Sequence, residues 1–123
     1  MKKLTIGLFI TVLVGCASSD DVEQEKNVDD WFAIGEARAK NGFLLQTESR
    51  LVDRYPEEKI TTEFYNGYVK GHEAGTKVYC SQNPYILGLS EEPYFGLCDQ
   101  IDSNYSDEYQ KGKNGIPRRG NNG

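Results

Sequence analysis

The side chains able to do chemistry are few, and their spacing argues against most of it. His72 is the sole histidine among 123 residues. A zinc site of the His-Glu-x-x-His type is thereby excluded, and no second histidine accompanies Cys80 or Cys98. As a general base His72 would need a nucleophile within hydrogen-bond reach, which no spacing here supplies; a structural hydrogen bond is the simpler role. The acidic pairs Asp29-Asp30, Glu57-Glu58 and Glu91-Glu92 have the residue types of a glycosidic acid and base. Adjacent side chains point apart on a helix, however, so capping and solvated charge account for them better. Cys80 and Cys98 lack the close C-x-x-C spacing of a redox pair. No catalytic residue, metal site or cofactor is therefore assigned. Eight tyrosines and one tryptophan remain, rings that combine apolar area with a polar handle and suit a shallow glycan or protein surface. Tyr85, Tyr94 and Phe95 are the candidate binding residues. Tyr68, Tyr79, Tyr105 and Tyr109 fall on faces expected to be buried, where core packing is the competing role.

The third cysteine stands in a different setting. Lys2 and Lys3 precede an uncharged apolar run, Leu4 to Val14, closed by Gly15 and Cys16. This is signal-peptide grammar, and the run is too short for the ~20 residues of a stable membrane helix. Leu13-Val14-Gly15-Cys16 resembles the lipobox of bacterial lipoproteins. The resemblance implies cleavage before Cys16, a diacylglycerol thioether on its sulfur and acylation of its new amino group. Ala17, in place of an acid after the lipidated cysteine, implies the outer membrane.

Removing residues 1–15 takes away two lysines and no acid, so 108 residues remain, with 12 basic against 19 acidic side chains. A net charge of −7 suits neither nucleic acid nor anionic headgroups, so the lipid must hold the chain to its membrane. With Cys16 consumed by lipid, Cys80 and Cys98 form an even pair in a compartment where disulfides persist, and a bond between them is expected. Closing that loop is worth about 3 kcal/mol in the chain-entropy model.

Residues 16–28 are polar and acidic and read as a flexible tether. The folded domain is expected over residues 29–112, with Asp29 or Asp30 capping a first helix. Trp31, Ile34, Gly35, Gly42 and Leu45 share a helical face, which extends that helix to about Thr47 to Arg50. Arg38 lies in the middle of this face, either paired with an acid across the core or, in the favoured reading, with its stem along the surface and its head in water. Pro56 interrupts the chain, and Glu57, Glu58 and Lys59 read as an exposed connector. A second helix opens at Thr61 or Thr62 and runs through Cys80, with Phe64, Gly67, Tyr68, Gly71, Gly75 and Val78 on one face. Its three glycines, each costing about 1 kcal/mol in a helix, point to a groove that receives another element, the first helix at Gly35 and Gly42 being the candidate. The membrane form of Gly-x-x-x-Gly fails, because His72, Glu73 and two lysines interrupt the segment.

Asn83-Pro84, Gly88, Pro93 and Gly96 punctuate Ser81 to Leu97, which reads as an irregular loop folded over the helices and pinned by the disulfide. A third helix is expected over Asp99 to Gly112, with Ile101, Tyr105, Tyr109 and Gly112 on one face, and residues 113–123 read as a disordered tail. The fold class is mainly α: a small three-helix domain with a disulfide-pinned loop between the second and third helices.

Asp30-Trp31-x-x-Ile34-Gly35, Tyr68-x-x-Gly71-x-x-x-Gly75-x-x-x-Tyr79-Cys80, Tyr85-x-x-Gly88, Tyr94-x-x-x-Cys98 and Tyr105-x-x-x-Tyr109-x-x-Gly112 span the expected domain. The pattern resembles an uncharacterised, domain-of-unknown-function family of short gammaproteobacterial lipoproteins. It departs at Arg38, where the resemblance implies an acid, at Ala39 and Glu91, where it implies glycines, and at Tyr55, near which it implies another cysteine. The resemblance implies a Gram-negative periplasmic setting and no established activity. The expectation is a non-enzymatic lipoprotein, held to the periplasmic face of the outer membrane by its lipid, whose domain contacts an envelope protein. The alternative is binding of peptidoglycan or another envelope glycan through aromatics of the 85–95 loop; nucleic acid is excluded by charge.

Overall fold

The computed structural model describes residues 25–115. The expected signal segment 1–15, the expected lipidation at Cys16, the expected tether as far as residue 24 and the expected tail from residue 116 lie outside the described residues.

Among the described residues five helices follow in order, α1 (Val28–Lys40), α2 (Glu48–Arg54), α3 (Thr62–Cys80), α4 (Pro84–Leu89) and α5 (Tyr105–Asn114). The domain is mainly helical, as the periodicities predict, with two short helices beyond the expected three. Asn27, rather than either aspartate, caps α1; its side chain accepts from Asp30 N–H while the Asp30 carboxylate accepts from Asn27 N–H, a reciprocal capping box. The helix stops at Lys40 because Asn41 and Gly42 close it in a Schellman turn: Gly42 N–H donates to Ala39 and Phe43 N–H to Arg38. Gly42 takes a φ of +82°, a conformation that side chains with a Cβ disfavour. The expected continuation to residues 47–50 is therefore overturned; Leu45 leaves the helical face and a new helix starts behind Thr47, whose hydroxyl caps it. Thr61 caps α3, which ends at Cys80 as expected.

The glycines of α3 do what their spacing implies. A Cβ on Gly67 would meet Val28 O at 3.1 Å, one on Gly71 would meet Phe32 O at 1.9 Å and one on Gly75 would meet Glu36 O at 2.3 Å. Partners advance by four residues in the same sense on both helices, so α1 and α3 run parallel, backbone against backbone. Gly35 answers from α1, where a Cβ would stand 2.1 Å from Tyr68 O. Such approaches permit Cα–H···O contacts and wide van der Waals contact. Gly42 packs elsewhere, beneath the Tyr79 ring. Trp31, Leu51 and Tyr68 form the buried core beside this crossing, with Tyr55 edge-on to Trp31 at 5.2 Å.

Residues 81–97 are not wholly irregular. Asn83 caps α4 by accepting from Tyr85 and Ile86 N–H, and Pro84 occupies the first turn, where its missing N–H costs nothing. The α4 helix ends at Leu89 with Ser90 as its C-cap, and the next residue, Glu91, takes a left-handed φ of +60°, which supplies the backbone reason for a glycine there. Gly88 and Gly112 seat α4 against α5: a Cβ on Gly88 would stand 2.1 Å from Tyr109 O, and one on Gly112 2.0 Å from Tyr85 O. The last helix begins at Tyr105, not Asp99; turns occupy the residues before it, and Ile101 is exposed rather than part of its face. Tyr79, Leu87, Cys98, Tyr105 and Tyr109 form a second core. The Cys80–Cys98 disulfide, with Cα atoms 5.6 Å apart, ties the end of α3 to this second half.

Candidate functional site

The segment Phe43 to Gln46 connects α1 to α2 and is held from one side by α3. Tyr65, Tyr68 and His72 stand at i, i+3 and i+7 on that helix and grip the passing backbone in turn. The Tyr65 hydroxyl donates to Gln46 O at 3.0 Å and the Tyr68 hydroxyl accepts from Gln46 N–H at 3.1 Å. His72 Nε2–H donates to Phe43 O at 2.8 Å. Its ring is buried, and Thr76 donates its hydroxyl to His72 O. His72 thus has the hydrogen-bonding role open to it in the sequence, and what it positions is a strip of apolar side chains.

Arg38 completes the strip. Its Nε–H donates to Leu44 O at 2.7 Å and its guanidinium lies 5.3 Å from the Phe43 ring centroid. Among the described residues it pairs with no acid; it is half-buried, with the charged head over an aromatic face. Phe43 stacks on Phe95 from the second half, 5.6 Å between centroids and 17° between planes.

Behind that stack a groove of about 520 Å³ runs along the junction of the halves. Leu44 and Leu45 form one wall, α3 from His72 to Lys77 the second, and the 96–101 turns, with Leu97, Gln100 and Ile101, the third. Of the large apolar side chains left exposed among the described residues, Phe43, Leu44, Leu45, Phe95 and Ile101 gather here, Ile101 at 62 %. A cluster of this kind is the ordinary mark of a docking surface.

The three binding residues expected from sequence are not brought together. Phe95 is exposed at 48 % and belongs to the stack beside the groove. Tyr94 is half-buried and structural: its hydroxyl donates to Asp99 Oδ1 at 2.7 Å, accepts from Cys98 N–H at 2.9 Å, and its ring packs on Tyr105 and Tyr109. Tyr85 is partly exposed on α4 and does not line the groove. The tyrosines expected on buried faces, Tyr68, Tyr79, Tyr105 and Tyr109, are all buried. Burial, followed by the charges around Tyr105, Glu92 and Tyr109, pushes the Tyr79 phenol up to about 12. Burial and the hydrogen bond to Asp99 likewise raise Tyr94, against a smaller opposite pull from Cys98 N–H. Sequence reasoning missed Phe43, Leu44 and Leu45 because it placed them inside a helix; Asn41-Gly42 was the signal that the helix stops before them.

Among the described residues no group of three or more His, Cys, Asp or Glu side chains is placed to hold a metal ion, and no helix is long and apolar enough to cross a membrane. No curated protein and no solved structure matches the chain. A family model does, over residues 30–114, from the first turn of α1 to the end of α5. The chain therefore belongs to the family described as protein of unknown function (DUF2799).

Proposed function

We propose that this protein is a non-enzymatic lipoprotein, anchored through Cys16 to the periplasmic face of the outer membrane, whose helical domain docks another envelope protein. The observation that carries the docking role is the groove between the halves, with five exposed apolar side chains at or beside it. The anchor rests on the Lys2-Lys3, Leu4–Val14 and Gly15-Cys16-Ala17 pattern. In this reading the lipid localises the domain and the tether lets it search for its partner. Labelling cells with palmitate and crosslinking the tagged protein tests both parts. Wild type incorporates label and captures a discrete envelope protein; Cys16→Ser does neither. Label absent from wild type overturns the anchor, and capture unchanged in Cys16→Ser overturns the dependence of docking on it.

Exposure of Tyr85 and Phe95 supports a second reading, in which these rings stack on envelope glycan. Pull-down on murein sacculi with Tyr85→Ala plus Phe95→Ala separates the two. Retention that survives the double substitution removes the aromatic glycan reading.

A further inference from the structure

We infer that the groove receives an amphipathic helix of the partner protein, one carrying a basic and an acidic side chain one turn apart. The inference rests on the docking role proposed above and names its partner class. Glu73 and Lys77 stand four residues apart on α3, so they share one side of the helix, and both line the groove. Both are exposed. Neither joins any of the ion pairs among the described residues, which are Lys26–Glu58, Lys40–Glu36 and Lys111–Glu108.

Charge and shape together select the occupant. A lipid surface would bring phosphates against Glu73 and against a chain with 19 acidic and 14 basic side chains. An added β-strand needs a sheet edge, and the described residues contain no strand. A helix lays a few apolar anchors into a hydrophobic groove, and Leu45, Leu97 and Ile101 offer apolar walls for them within about 520 Å³. The same helix presents charges at i and i+4, the spacing of Glu73 and Lys77. If it runs parallel to α3 its base precedes its acid by four residues; if antiparallel, its acid precedes its base. Opposite charges set at this rim fix register and exclude partners of the wrong pattern.

The test places a photocrosslinking amino acid at Leu45 or at Ile101 of the full-length protein in cells, with Asn66, exposed near the other end of α3, as the control position. The adduct is mapped to a peptide by mass spectrometry. The expected product joins positions 45 and 101, but not 66, to a predicted amphipathic helix with a base and an acid four residues apart. Its yield falls about tenfold in Glu73→Lys and in Lys77→Glu, on the scale of lost charge complementarity. In the double swap Glu73→Lys plus Lys77→Glu it returns only when the partner's base and acid are exchanged as well, which separates charge pairing from misfolding. An adduct with phospholipid, an adduct with this chain's own residues, or none at all overturns both the inference and the docking role. A protein adduct through a segment without the charge pair, or a yield indifferent to the charge variants, overturns the helix and leaves the docking role standing.

Discussion

The α1–α3 pair and the α4–α5 pair are locked by the same device built at two lengths. In the first, Phe32-x-x-Gly35 faces Tyr68-x-x-Gly71; in the second, Tyr85-x-x-Gly88 faces Tyr109-x-x-Gly112. Each glycine sits against the carbonyl of the aromatic residue on the opposite helix. The first pair continues the contact through Gly67 and Gly75 along helices of 13 and 19 residues. The second has one such crossing, between helices of 6 and 10 residues. Helices that short are marginal in themselves, so the second half needs other restraints. It has them in the disulfide, in the Tyr94 hydroxyl between Asp99 and Cys98, and in the Tyr109 hydroxyl donated to Glu92 O. The first half is held by backbone contact and the second by staples, and the groove lies where they meet.

The largest expected effect is on the long crossing. Gly71→Val places branched carbons where even a Cβ would lie 1.9 Å from Phe32 O, and neither backbone can yield without parting the helices. A loss of more than about 3 kcal/mol is expected in urea unfolding, at the upper end for overpacking. A variant of near-native stability would mean that the parallel crossing is wrong. Cys80→Ser with Cys98→Ser comes next, costing about 3 kcal/mol by the loop-closure model, visible as a lower urea midpoint. A cost near zero would remove the contrast between the halves.

Alkaline pH sharpens the contrast without mutation. Tyr79, Tyr94 and Tyr105 of the second core are all raised, burial being the first cause in each. In the first half Tyr65 is raised, again by burial first. An unfolded tyrosine ionises near pH 10, so the unfolded chain releases its protons first. The stabilisation from these phenols is complete below about pH 10 and is lost as pH climbs towards the raised values, about 12 for Tyr79. Phenolate absorbance and helical circular dichroism recorded together should show the second half giving way first; simultaneous loss of all helix would contradict this. The smallest effect is Arg38→Ala, which removes one hydrogen bond to Leu44 O and the cover over Phe43. About 1 kcal/mol or less is expected in the same urea experiment, and a larger cost would mean that Arg38 braces more than this strip.

How much of this was legible in the sequence differs between the halves. The extent of α3 is readable because Thr61, the 3.6-residue periodicity and the glycine spacing agree, although Val78, expected on the apolar face, is exposed. The glycine groove was readable for the same reason. Gly42 and Leu45 read as helical in the sequence because they keep helical phase across a Schellman turn; periodicity alone does not see a left-handed residue. In the second half, Pro84 and Gly88 read in the sequence as breaks, whereas Pro84 opens α4 and Gly88 packs it. The disulfide was readable from the even pair that Cys80 and Cys98 make once Cys16 is set apart by its lipobox-like pattern. The groove was not, because its walls come from three separated stretches and only the tertiary fold brings them together.

The measurement that bears most directly on two differently held halves is amide hydrogen exchange of the native protein before and after reduction of Cys80–Cys98. Amides of α4 and α5 are expected to lose protection together while those of α1 and α3 keep theirs, because the glycine crossing stands without the staple. Loss of protection in all four helices at once would contradict it, and so would retention in α4 and α5 after complete reduction.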